Sequence, residues 1–250
     1  MNSRLRVLTL FSGACGGWDL GMERAGYRVV AACEADPWRR AALQRNFPNS
    51  RIYDDVRTLT ADRLRADLGS LPDVIVGSPP CQDASSANHF GHGINGARTG
   101  LFAEFVRLVA EVRPVWFAAE NVARLASRGL DRLLGDMERR GYAVWPLLMA
   151  AADFGAPHER DRLWLVGVDA DQDYEPRKPL NGEVGGLVGP HPWAEPWPLA
   201  AGRFCRVADG LSAHVARDAA AALGDAVVPQ IAEAIGRVMG RMLPDAGRAA

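Results

Sequence analysis

Apolar runs of five or six residues recur along the first two thirds of the chain, each followed by a turn and then a stretch of helical spacing. RVLTLF (6–11) reads as a buried strand, and after the turn SGACGG an amphipathic segment begins at WDLGMERAG. YRVVAACE (27–34) is a second strand, and PWRRAALQRNF (37–47) a helix with proline at its start. RIYDD (51–55), DVIVGS (73–78) and VWFAAENV (115–122) supply three more strands. Between the last two, apolar residues at 101, 102, 105, 106, 108, 109 and 112 mark a helix. LDRLLGDMERRG (130–141) is another helix, and YAVWPLLMAA and RLWLVGVD read as two further strands.

Strands alternating with helices over short connections predict a doubly wound, mostly parallel α/β sheet of the Rossmann-like type. The pattern stops after Asp169. Residues 170–202 are rich in proline and glycine without periodicity, and helical pattern returns in ARDAAAAL and AVVPQIAEAIGRVMGRML. The expected organisation is a main domain over 1–169, a small irregular lobe over 170–215, and a C-terminal helix within 216–250 that returns to the main domain.

Composition adds limits. The 250 residues are 48% hydrophobic and 24% charged, enough for one sizeable core. No apolar run approaches the length of a membrane span, and no signal-peptide core is visible. Cysteines at 15, 33, 81 and 205 form no Cys-x-x-Cys pair, so neither zinc nor a disulfide framework is expected and a reducing, cytoplasmic setting is the default. The net charge of -1 gives no global attraction to nucleic acid; any such surface must be local. Nearly all positive charge is arginine, with Lys178 the lone lysine, which suits bidentate phosphate contacts as well as ordinary ion pairs.

Two places carry candidate chemistry. Gly13, Gly16 and Gly17 follow the first strand, and Glu34 ends the second strand 21 residues after Gly13, the position of an acid that accepts ribose hydroxyls. The glycines also suit a plain tight turn. Their spacing departs from G-x-G-x-x-G, which disfavours a pyrophosphate site and favours a nucleoside without phosphates, such as S-adenosylmethionine. The second place is GSPPCQ. Cys81 follows the fourth strand behind two φ-locked prolines, and Glu120 lies near the end of the fifth, so adjacent parallel strands would bring both to one cleft. A thiol is a nucleophile as thiolate, and Arg160 and Arg162 offer the positive potential that favours it. A buried inert cysteine is the competing reading.

FSGACGGWDLG, GSPPCQ, AENV, ERDRLWLVG and LGDAVVPQIAEAIG stand in the order found in cytosine-C5 methyltransferases, and over residues 6–169 and 203–240 the chain resembles that family. The resemblance implies an S-adenosyl-L-methionine-dependent enzyme acting on double-stranded DNA, with Cys81 attacking C6 of a flipped-out cytosine and Glu120 binding N4 and assisting protonation at N3. It implies that Arg160 and Arg162 complete the catalytic set, Arg162 toward O2 of the base. Phe11, Gly13, Gly16, Gly17, Glu34, Asp55, Pro80, Leu101, Asp225 and Ala226 fall at cofactor positions. Gln82, Ser85, Arg98 and Asn121 fall on the substrate side, Asn121 as a support for the loop that carries Cys81. No metal is implied, and a monomer with a possible cognate restriction endonuclease is the expected setting.

Residues 85–100 are glycine-rich and fit either a closing lid or an ordinary surface loop. The chain departs from the family's pattern in three places. His158 replaces a usual glutamine, Gly224-Asp225 replaces Gly-Asn, and the recognition region is short. Trp193 and Trp197 within it could wedge into DNA or simply pack the lobe. Compactness leaves a tRNA-directed activity open, and Asp225 leaves open a non-catalytic homologue. A nucleotide-dependent oxidoreductase would leave Cys81 and Glu120 without a role.

Overall fold

The computed structural model describes residues 4–80, 100–127, 129–156, 158–172 and 224–242. Seven strands form one sheet in the order β3-β2-β1-β4-β5-β7-β6. They are β1 (Arg6–Leu10), β2 (Arg28–Cys33), β3 (Arg51–Tyr53), β4 (Val74–Gly77), β5 (Trp116–Val122), β6 (Tyr142–Met149) and β7 (Arg162–Asp169). The helices are α1 (Gly17–Arg24), α2 (Pro37–Asn46), α3 (Ala61–Leu68), α4 (Gly100–Val112), α5 (Leu130–Glu138) and α6 (Pro229–Met242).

Strands β1 to β5 pair in parallel, as continuous apolar runs buried on both faces require. Alternation splits each strand between two cores. Val74, Val76, Trp116 and Ala118 face Trp18 and Met22 of α1 and Ile231, Ile235 and Met239 of α6. Ile75, Phe117 and Ala119 face Phe105 and Val109 of α4 and Leu133 and Met137 of α5. The doubly wound α/β architecture is therefore present, with helices on both faces.

β7 is the exception to the parallel rule, running antiparallel to both β5 and β6. The reason lies in the connection. Parallel strands need a long crossover, whereas residues 150–161 hold a single 3-10 turn, Ala152–Phe154, and return the chain directly beside β6.

The strongly charged α3 was not anticipated. It buries one side chain, Leu64, and its start is fixed by Thr60, whose hydroxyl accepts from the Arg63 N–H at 3.1 Å. α2 begins as its sequence suggests, with Asp36 capping Arg39 N at 2.9 Å and Pro37 in the first turn. α6 packs along α1, and Tyr27 donates its buried hydroxyl to the Gly236 carbonyl at 3.0 Å, tying the far end of the chain to its beginning. Among the described residues no helix is long and apolar enough to cross a membrane, and no cluster of His, Cys, Asp and Glu could hold a metal ion.

Candidate active site at the carboxyl ends of the strands

In the order 3-2-1-4-5 the connections reverse between β1 and β4, and ligands of open α/β sheets bind beyond the strand ends at such a switch point. The turn after β1, the end of β2 and the elbow after β4 all lie there.

The turn after β1 is built on left-handed backbone. Phe11 (φ 57), Gly13 (φ 66) and Gly16 (φ 57) each adopt it, and for Phe11 that is a strained conformation of the kind that gathers at functional sites. The three glycines serve different ends. A Cβ on Gly13 would meet nothing within 4 Å, so this position faces open space. A Cβ on Gly17 would lie 2.8 Å from Val227 Cβ, and one on Gly16 would press on Phe47 and Leu43. Close packing leaves no room for a side chain at Gly17, and Gly16 is required both by its neighbours and by its left-handed backbone.

Glu34 is held rigidly at the end of β2. Its Oε2 accepts from Gly13 N at 2.8 Å and its Oε1 from Asp36 N at 2.9 Å. Each oxygen keeps further acceptor capacity, which is what a vicinal diol requires. A fixed acid, an open glycine and a sheet end therefore fit the nucleoside part of S-adenosylmethionine. Asp55 is more committed: Arg57 donates to both its oxygens, Nε to Oδ1 and Nη2 to Oδ2, each at 2.9 Å. Those hydrogen bonds hold its carboxyl below the usual range. Phe11 and Leu101 are partly buried against the core formed with α4 and α5.

At the elbow, Asn121 donates its amide to the Pro79 carbonyl at 3.1 Å and accepts from Val122 N at 2.8 Å. It thereby fixes the backbone two residues before Cys81, next to Pro80. Cys81, Gln82, Ser85 and Arg98 lie outside the described residues, as do the glycine-rich stretch up to residue 99 and, with Trp193 and Trp197, residues 173–223. Of the described cysteines neither is activated: burial pushes the Cys33 thiol up to about 12 and also raises that of Cys15.

Glu120 is 6% exposed at the end of β5. Arg162 Nε lies 2.9 Å from its Oε1, and the Ser78 hydroxyl favours the ionised form of the same carboxylate. Burial pushes the Glu120 carboxyl above its ordinary range, even though Arg162, Ser78 and Arg160 all favour the ionised form. A raised pKa is the direction of shift that a proton-carrying acid requires.

Arg160, the first of the paired arginines, is engaged with backbone carbonyls. Its Nη1 donates to the Gly224 carbonyl at 2.8 Å and its Nη2 to the Ala226 carbonyl at 2.7 Å. The guanidinium braces the segment before α6, and its influence on Glu120 is through charge. Asp225 likewise points to a partner, pairing with Arg39 Nη2 of α2 at 2.8 Å while 64% exposed. Ser78 and Trp18 were not singled out in the sequence, although Ser78 directly precedes the double proline.

Comparison with known proteins agrees with this geometry. Residues 5–187 match the family described as C-5 cytosine-specific DNA methylase. The type II methyltransferase M.FnuDI of Fusobacterium nucleatum is 34% identical over 195 residues, covering 76% of this chain and 52% of that protein. The type II methyltransferase M1.HphI of Haemophilus parahaemolyticus is 35% identical over 198 residues, covering 75% and 53%. The crystal structure of the S. pombe Dnmt2 methyltransferase has the same fold, with a TM-score of 0.58 at 21% identity over 74% of this chain and 55% of that one. The chain spans about half the length of the curated relatives it matches. With 183 of its residues, 5–187, matched by that family, the chain belongs to the C-5 cytosine-specific DNA methylase family.

Proposed function

We propose that this protein transfers a methyl group from S-adenosyl-L-methionine to C5 of a cytosine in double-stranded DNA, through a covalent bond between Cys81 and C6. The observation that carries this reading is the buried Glu120, with Arg162 Nε 2.9 Å from its Oε1 and the neighbouring Asn121 holding the elbow that leads to Cys81. Family membership and the relatives named as type II methyltransferases support DNA as the substrate.

Bound at Glu34 and Gly13, S-adenosylmethionine supplies an electrophilic methyl group. The chain's residues do the rest. Cytosine C5 is a weak nucleophile, and addition of the Cys81 thiolate at C6 makes it a stronger one by dividing one difficult step into two. Glu120 accepts from the N4 amino group and holds a proton against N3, neutralising charge that develops in the ring. Arg162 keeps the Glu120 carboxylate in place and offers donors toward O2. Asn121 holds the Pro79 carbonyl, and Pro79 and Pro80 aim the thiol. Loss of the C5 proton and expulsion of the thiolate complete the reaction. A stacked base is out of reach of C6 attack, so the cytosine must be extruded, at a cost of a few kcal/mol. Gln82, Ser85 and Arg98 are the residues proposed to contact the opened strand.

The test is transfer of labelled methyl groups to duplex DNA and to tRNA offered side by side, with 5-fluorocytosine substrates as a covalent trap. Methylated DNA and a trapped complex with the wild type, both lost in Cys81→Ser, are expected. Cofactor binding without methylation of any DNA would overturn the reading, and methylation of tRNA alone would reassign the substrate.

A further inference from the structure

Ser78 sits one residue past the end of β4. The parallel register ends with Gly77 paired to Ala119, and the next residues along the two chains are Ser78 and Glu120. By alternation both side chains fall on the sheet face covered by α1 and α6, the face of Val76 and Ala118. On that face Trp18 of α1 donates its indole N–H to Ser78 Oγ at 3.1 Å. The indole is locked. It is 1% exposed and meets the Trp164 ring edge-on, with centroids 5.4 Å apart, and Trp164 is itself the cross-strand partner of Glu120 on β7.

An indole N–H can donate and cannot accept, whereas a serine hydroxyl has one hydrogen and two lone pairs. Ser78 Oγ must therefore accept from Trp18, and its own hydrogen is free for Glu120. Arg162 is a second partner that can only donate, 2.9 Å from Oε1. We infer that Ser78, aimed by Trp18, is a positioning residue: together with Arg162 it fills acceptor sites of the Glu120 carboxylate with hydrogens, so that a proton carried by Glu120 sits on the remaining sites. The use of that proton at a pyrimidine rests on the methyl-transfer reading above.

The charged groups acting on Glu120 come from the β7 side, Arg162 directly and Arg160 at longer range. The β4 side contributes the neutral Ser78, and the buried carboxylate of α1, Asp19, is engaged with Thr9. All three influences on Glu120 favour its ionised form, so removing Ser78 lets the proton bind more tightly and in a less defined place.

The experiment compares wild type, Ser78→Ala, Ser78→Thr and Trp18→Phe, each first checked for a cooperative thermal melt. The protonated carboxyl stretch of Glu120, assigned by its loss in Glu120→Gln, is followed against pH by infrared difference spectroscopy on the protein without DNA. Methyl transfer to duplex DNA is then measured across the same pH range. In Ser78→Ala the titration moves to higher pH and the alkaline limb of kcat moves with it. At neutral pH kcat falls about fivefold, the loss of one ordinary hydrogen bond, with KM for DNA little changed. Ser78→Thr restores both, and Trp18→Phe moves both in the Ser78→Ala direction by less. An unshifted titration in Ser78→Ala, or a shift that Ser78→Thr does not reverse, overturns the inference. If no protein, wild type included, methylates DNA, the methyl-transfer reading falls, while the infrared titration still decides the role of Ser78.

Discussion

Asp19 gives the clearest stability prediction. It lies in the first turn of α1 with 0% exposure. Thr9 donates to its Oδ1 at 2.7 Å, Thr9 and Ser12 share a hydrogen bond at 2.8 Å, and Oδ2 has no partner. Burial raises its pKa from the ordinary 3.8 to about 7, against the pull of the Thr9 and Ser12 hydroxyls. Between those values the folded protein keeps a proton that the unfolded chain has released, so stability falls as pH rises through the window and the loss is complete above it. At 1.36 kcal/mol per pH unit the full loss is about 4 kcal/mol. Asp19→Asn removes the titration and keeps an oxygen for Thr9, while its amide takes the unpartnered place of Oδ2 at a cost of about 1–3 kcal/mol. Below about pH 4 the variant should trail the wild type by ~2 kcal/mol, and at about pH 9 it should exceed it by ~2 kcal/mol. Urea unfolding across that range, with extrapolation to water, measures the difference. Two stability curves that stay parallel from acid to alkaline pH would refute the assignment of a costly buried charge.

Two further outcomes follow from packing and bracing. Gly17→Ala sets a methyl against Val227 and its carbonyl, so urea melts should show a loss of about 1–3 kcal/mol even though alanine favours helix. Arg160→Ala leaves the Gly224 and Ala226 carbonyls without their donor; roughly 1–3 kcal/mol of local stability should go, read as faster hydrogen exchange at the amides of Ala226, Val227, Val228 and Gln230.

Much of this architecture is written in local pattern. Strands such as VIVG and RVVAAC are legible because a strand covered on both faces needs an unbroken apolar run, and α4 because its apolar residues follow the helical repeat. The direction of β7 is not legible, since RLWLVGVD presents the same residues to the two cores whichever way it runs. α3 escaped because Leu64 alone is buried and its stability comes from Thr60 and ion pairs rather than a stripe. The site divides in the same way. Glu34 and Glu120 were found from their place at strand ends. The brace from Arg160 to residues 224–226, the pairing of Arg39 with Asp225, and the line from Trp18 through Ser78 to Glu120 join residues far apart in the chain, and spacing along the sequence cannot announce them.

The chain is anchored to the sheet on both sides of residues 173–223. Before them, Asp169 closes β7 with both carboxylate oxygens on Arg113; after them, Arg160 grips the backbone at Gly224 and Ala226. Each mooring is made by residues that lie outside that interval, so the end of β7 and the approach to α6 are held in place by contacts of their own.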